Sequence, residues 1–348
     1  MCSKCKDKIH SKFKSEKEHE TIDIKDVGRQ DKTVDQKSQE MVQQDQELVS
    51  ISGLQTAGVS SSPTNDKLIN VEEYQTEMIN IHFLALYFDG SLWIGDGAKR
   101  NLHHTFTSLQ NVQLLRDKVK VVSCSNMVIL GIAVTPANDI LMATGTPSLM
   151  QIKAGSNKVS ESIYCEDMSR DIWSVHVSKD GRVIMGGVRF VVVMDTYGSY
   201  LTRYENDKNK KLIFKGQLVH SITSTSNGNI FIIEYFNKGV IMLGKDDVIN
   251  IYTGHPVYNH IDSFHPISAV TTPMDNVLVA DNGNHTLHIL DSNCQLLTVY
   301  NIRDIGIRRP VSLAIIMNRP FPVLYIGCDV CESNSKSGKL YKMNIMEC

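Results

Sequence analysis

The chain has 348 residues and a mass of 39.0 kDa, with 36 Lys plus Arg against 38 Asp plus Glu. That length exceeds one minimal domain and suits one large body with a tail. The near-neutral balance excludes a global field that would draw in nucleic acid or an anionic membrane, and the longest apolar run, 127–134, falls far short of the roughly 18 residues of a membrane span.

The amino terminus, Met1-Cys2-Ser3-Lys4-Cys5, continues highly charged without the apolar core of a secretory signal, so the expected compartment is cytoplasmic. From Lys14 to Glu73 there is no Phe, Tyr or Trp in a chain with 7% aromatics, and such a stretch cannot support a packed core. Within it, residues 28–68 are rich in Gln, Ser, Asp and Lys and read as a flexible linker whose chain entropy burial cannot offset. A short helix around Val42 to Ile51 would be marginal alone.

After about Leu68 the texture changes to short runs of Val, Ile, Leu and Tyr broken by Asp-Gly and Asn-Gly turns, which is the pattern of an all-β fold. A unit of strand, tight turn and second apolar strand recurs from Phe83, Gly131, Val175, Ser221, Ala269 and Ser312. With the turn placed at Gly90, Asp139, Gly181, Gly228 and Asn276, the period lies in the forties. A four-stranded antiparallel sheet cannot cover both its faces alone, and six stacked radially can, so the expected fold is all-β, a six-bladed β-propeller over 69–348. Open ends would expose sheet edges, and the last unit runs out one strand short. Residues 69–78 are therefore expected to supply its outermost strand and close the ring.

Further positions carry chemistry that needs weighing. The segments Val191 to Leu201 and Leu287 to Leu297 match, and Cys294 stands where Gly198 supplies the flexible turn position, so a strained or differently shaped turn is expected. Cys328 and Cys331 have redox or metal spacing, but no second pair follows, and two free thiols in a blade loop is the preferred reading. His103, His104, His255, His260 and His265 read as loop histidines. Asp96, Glu234, Asp281 and Asn282 could hold a divalent cation in a central channel, although Asp96 and Asp281 recur at a turn position where carboxylates satisfy local backbone groups. The clusters Lys208, Lys210, Lys211, Lys215 and Arg303, Arg308, Arg309 read as solvated faces, because beyond residue 68 there are 25 basic and 26 acidic side chains.

The run Val279-Ala-Asp-Asn-Gly-Asn-His-Thr-Leu-His-Ile-Leu-Asp291 resembles an NHL repeat, with Asn284 and His285 matching and Thr286 intervening before Leu287. At the other end, Cys2-Ser-Lys-Cys5 followed by His10 and His19 has the spacing of the second half of a B-box zinc module. That order is similar to the tripartite motif family, and the resemblance implies a partial B-box over 1–27, the linker over 28–68 and an NHL-like propeller. It also implies that Cys2 and Cys5 serve one zinc ion, and His10 and His19 another. Structural zinc takes four ligands, so either the module is incomplete or the chain is a fragment. The function expected is non-enzymatic recognition of a protein partner on a propeller loop face, without membrane attachment. A component of a ubiquitin ligase whose RING lies elsewhere is the runner-up, and an RNA-binding propeller the third candidate.

Overall fold

Runs such as Leu92–Gly95 and Val191–Met194 are apolar without alternation because both faces of these strands are covered, and all their residues are buried. The computed structural model describes residues 68–87, 90–97, 108–116, 118–216, 218–234, 238–258, 262–317, 321–330 and 337–345. These form six four-stranded antiparallel sheets arranged as the blades of a propeller. Cys2, Cys5, His10 and His19, the segments 1–27 and 28–67, and the side groups His103, His104, His260 and Cys331 lie outside the described residues.

Blade 1 holds β2 (Phe83–Leu86), β3 (Leu92–Gly95), β4 (Ser108–Leu115) and β5 (Lys118–Asn126). Blade 2 holds β6 (Gly131–Val134), β7 (Ile140–Ala143), β8 (Ser148–Ile152) and β9 (Val159–Cys165). Blade 3 follows with β10 (Ile172–Val177), β11 (Val183–Gly187), β12 (Val191–Met194) and β13 (Tyr200–Tyr204). Blade 4 has β14 (Val219–Ser224), β15 (Ile230–Glu234), β16 (Gly239–Leu243) and β17 (Val248–Tyr252). In blade 5 are β18 (Pro266–Thr271), β19 (Val277–Asp281), β20 (Thr286–Leu290) and β21 (Leu296–Asn301). Blade 6 combines β22 (Pro310–Met317), β23 (Pro322–Cys328) and β24 (Lys339–Ile345) with β1 (Leu68–Gln75), which pairs antiparallel to β24 on the outer edge.

Apolar clusters occupy the seams between blades. Ile267, Leu278 and Ile289 of blade 5 meet Leu313, Leu324 and Met343 of blade 6. Tyr74 and Leu340 of blade 6 meet Leu84, Leu92 and Val112 of blade 1. The other four clusters join blades 1 and 2, 2 and 3, 3 and 4, and 4 and 5, so every seam of the ring is filled.

Polar stitches run along the inner strands. In blades 3 to 6 the first strand has a β-bulge followed by serine: Ser174, Ser221, Ser268 and Ser312. Each hydroxyl bonds the backbone of the following blade. Ser174 donates to the Val219 carbonyl at 3.1 Å, and Ser312 to that of Ile81. Ser221 and Ser268 accept from the Ala269 and Leu313 N–H groups at 3.2 and 3.1 Å. Paired across from Ser174 and Ser312 are Gly186 and Gly327, where a Cβ would stand 2.5 Å from Ser174 Oγ and 2.5 Å from the Ile81 carbonyl respectively.

The first-hairpin turns are one residue displaced from the alignment above in two blades. Residues with left-handed φ are Gly90, Asn138, Gly181, Gly228 and Asp275, each donating its N–H back three residues. Asn138 and Asp275, rather than Asp139 and Asn276, take the glycine's place because Asn and Asp tolerate that region. The second-hairpin turns agree in shape: Cys294 adopts φ 63° where Gly198 has 82°, and the carboxylates of Asp291 and Asp195 each accept two backbone N–H groups of their turn. The strain expected at Cys294 is therefore carried within an unchanged turn.

Gly186→Ala and Gly327→Ala should each destabilise the fold by ~1–3 kcal/mol, because an extra methyl is forced into a packed seam. Gly327→Ala should cost more, since its methyl faces a backbone carbonyl. Urea denaturation midpoints measure this, and wild-type midpoints in both variants would contradict the packing described.

Candidate functional site

An antiparallel meander places alternate connections on opposite faces of the ring. One face receives the links between second and third strands and those between blades, including among the described residues 166–171, 205–216, 253–258 and 302–309. The other carries short turns such as 178–182, 195–199, 225–229 and 291–295. Irregular chain, which varies without disturbing the ladders, is thus concentrated on the first face.

Between the two faces runs a channel of about 280 Å³, lined by the first strand of every blade. Its wall is unevenly polar. On blades 3 to 5, His176 Nε2 bonds Ser224 Oγ at 2.9 Å, and Thr223 Oγ1 bonds Thr271 Oγ1 at 2.8 Å. The corresponding lining residues of blades 1, 2 and 6 include Ala85, Ala133 and Ala314. Burial pushes the His176 imidazole down to about 4, so it is neutral at physiological pH.

The acidic candidates for a channel cation occupy equivalent positions at the end of the second strand, and two are committed to their own blade. Asp281 is fully buried, and its Oδ1 accepts the N–H groups of His265, Gly283 and Asn284 at 3.1–3.2 Å. Its Oδ2 accepts from Asn284 Nδ2 at 2.8 Å and lies 3.6 Å from His288 Nε2. Burial would raise this carboxyl, but the bonds from His288, Asn284 and the His265 backbone outweigh it and hold the pKa below the ordinary value. Glu234 is equally buried and accepts the Gly216 N–H at 2.7 Å. Asn282 donates to the Pro310 carbonyl at 3.2 Å. Asp96 stands 3.5 Å from His82 Nδ1, which accepts the Gly97 N–H. Glu234, Asp281 and Asn282 fasten the chain entering blades 4, 5 and 6.

One constellation was not anticipated. His288, fully buried, bonds the Tyr252 hydroxyl through Nδ1 at 2.7 Å and Thr286 Oγ1 through Nε2 at 3.1 Å, beside Asp281. The Phe264 ring lies 4.9 Å from the imidazole. The order Asp, His, hydroxyl superficially matches a nucleophilic triad, but a fully buried group cannot meet a substrate, and the row pins blade 5 to blade 4. A histidine inside the apolar run Leu287 to Leu290 was the available signal.

The remaining candidates are dispersed. Cys328 is the last residue of β23 and is buried, not in a blade loop, and burial first and Asp329 second push its thiol well above the ordinary range. Such a thiol resists forming the thiolate that redox or metal chemistry requires. His255 accepts the Val257 N–H in a short 3-10 turn at Pro256–Tyr258, while His265 rests its backbone on Asp281. Lys208 pairs with Asp247 at 3.7 Å on a hairpin whose turn is held by Asp207, and Arg309 pairs with Asp329 at 3.2 Å on the far side of blade 5. The two basic clusters belong to different blade junctions.

No family model matches the chain, and no curated protein matches it. Among solved structures, a streptogramin B lyase aligns with TM-score 0.52 and 10% identity over 82% of this chain and 100% of that one. Virginiamycin B lyase from Staphylococcus aureus aligns with TM-score 0.53 and 11% identity over 80% of this chain and 99% of its own. A protein of unknown function from Bacteroides caccae gives TM-score 0.50 and 14% identity over 68% of this chain and 82% of its own. At such identities the likeness establishes the propeller fold. Among the described residues, no helix is long and apolar enough to cross a membrane.

Two outcomes follow from the buried groups. The folded-state pKa of His176 is below its ordinary 6.5, so the unfolded chain binds the proton first. Stability is complete above about 6.5 and declines as pH falls toward about 4, by up to ~3 kcal/mol from this residue. His265 and His285, also lowered chiefly by burial, act in the same sense. Denaturant midpoints measured across that range should slope, and His176→Gln should flatten the slope. Asp281→Ala should cost ~2–4 kcal/mol by orphaning buried N–H donors; a wild-type melting temperature would show that the carboxylate is not structural.

Proposed function

We infer that this chain is a non-enzymatic recognition module whose propeller binds a protein partner on the loop-bearing face. The observation that carries the reading is the asymmetry of the ring, with long irregular connections on one face and tight, self-satisfied turns on the other. Rigid strands hold variable loops in fixed positions, which is the arrangement that recognition requires.

The module fits a tripartite-motif-like organisation, with an NHL-like propeller following a linker and a B-box segment. There Cys2, Cys5, His10 and His19 form an incomplete zinc set, two donors for each ion. Ubiquitin ligation is the same reading extended by a RING on another chain. Lyase chemistry, named for the structural neighbours, is not favoured by Asp281, whose carboxylate is taken by three backbone N–H groups and Asn284. RNA docking is disfavoured by charge pairing such as Lys208 with Asp247 and Arg309 with Asp329.

Lysine cross-linking of the captured partner should map to Lys215 and Lys238 on the loop face. Cross-links spread evenly onto Lys153, Lys158 and Lys179 of the opposite turns would overturn the reading. Retention on RNA that collapses between about 50 and 200 mM salt would favour the nucleic-acid alternative. An autoubiquitination assay on this chain alone should be blank.

A further inference from the structure

A second cavity, of about 410 Å³, lies where the ring closes. Its wall combines Glu72 and Tyr74 of β1, Tyr325 of β23 and Lys342 of β24 with Ser91 and the stretch 113–116 of blade 1. Glu72, the one carboxylate among the described lining residues, is already taken: it accepts from the Tyr74 hydroxyl and from Lys342 Nζ at 3.0 and 3.2 Å. Burial would raise its pKa, and the bonds from Tyr74 and Lys342 outweigh that effect and keep it ionised.

Two donors on the same wall have no partner among the described residues. Tyr325 has a buried ring, and its hydroxyl makes no hydrogen bond to a described residue. Burial first, and Glu72 second, raise its pKa, so it remains a donor. Arg116 lines the opening and forms no ion pair with a described residue. Both donors are open to an acceptor that enters the cavity, and the guanidinium favours an anionic one. Leu114, Leu115 and the Tyr74 ring supply apolar surface next to these donors. The volume falls within the roughly 300–1,000 Å³ common for small-molecule sites.

We propose that this cavity binds a small organic anion, its carboxylate or phosphate on Arg116 and Tyr325 and its apolar group against Leu114 and Tyr74. Both sides of the closing seam contribute to the wall, so an occupant ties β1 to blade 1 and stabilises the closed ring. The site is separate from the loop face and does not depend on the partner inferred above.

The test titrates benzoate, phenyl phosphate and benzyl alcohol into the full chain, with affinity read by calorimetry and the thermal midpoint by fluorescence. One or both anions should bind at millimolar concentration or below and raise the midpoint, while benzyl alcohol should do neither. Benzoate alone would identify carboxylates as the ligand class, and phenyl phosphate alone phosphate esters. Arg116→Gln, at an exposed side chain, should abolish binding, and Tyr325→Phe, which keeps the ring, should weaken it about tenfold. Failure of both anions to bind, equal binding of the alcohol, or wild-type affinity in either variant would overturn the proposal.

Discussion

Each blade has two apolar faces and can cover neither by itself, so the fold depends on closure. Blade 6 is the decisive one, because within it the two ends of the propeller chain meet in the pairing of β1 with β24. Two ion pairs mark that edge, Glu73 with Lys339 at 2.7 Å and Glu72 with Lys342 at 3.0 Å. Partly exposed pairs of this kind contribute ~0–1 kcal/mol each. Burying a large apolar side chain contributes ~1.5–3 kcal/mol. Tyr74, 2% exposed and packed with Leu84, Leu92 and Val323, therefore does more to hold β1 in place than either charge.

Much of this architecture was legible in the sequence because propeller repeats express a physical necessity twice. The turn needs a residue that accepts positive φ, and the middle strands need unbroken apolar runs; both leave marks at a fixed period. Precision failed where the mark was ambiguous. Asn138 next to Asp139, and Asp275 next to Asn276, are all plausible turn residues, and only backbone geometry separates them. The serine stitches were written in the sequence at Ser174, Ser221, Ser268 and Ser312, but a serine opening a strand has no distinct pattern until its β-bulge is seen.

The candidate site was less legible, for a related reason. Aspartate and glutamate at the end of a second strand suit a cation as well as they suit a ring of backbone N–H groups, and composition cannot tell these uses apart. Burial can. A carboxylate fully removed from water must be compensated locally, and Asp281 is compensated by three main-chain donors and Asn284. The same argument explains His288, whose two ring nitrogens are both engaged within the seam between blades 4 and 5. Cys328 was misplaced because a Cys-x-x-Cys spacing gives no indication of whether its first member ends a buried strand.

Repetition accounts for stability, and departures from it have to account for specificity. Blades 3 and 4 line the channel with His176 and Thr223, whereas blade 5 has Val270 and blades 1, 2 and 6 put Ala85, Ala133 and Ala314 there. The hydroxyl and imidazole pairs, His176 with Ser224 and Thr223 with Thr271, each span neighbouring blades and are 48 residues apart in sequence. A polar pair in a packed seam is tolerated only when both members are satisfied, and it then fixes the relative position of its two blades more sharply than apolar contact does. The two seams that join blades 3, 4 and 5 thus carry such a pair in addition to their serine stitch. The connections 205–216 and 253–258, which leave blades 3 and 4, project from this doubly fixed base.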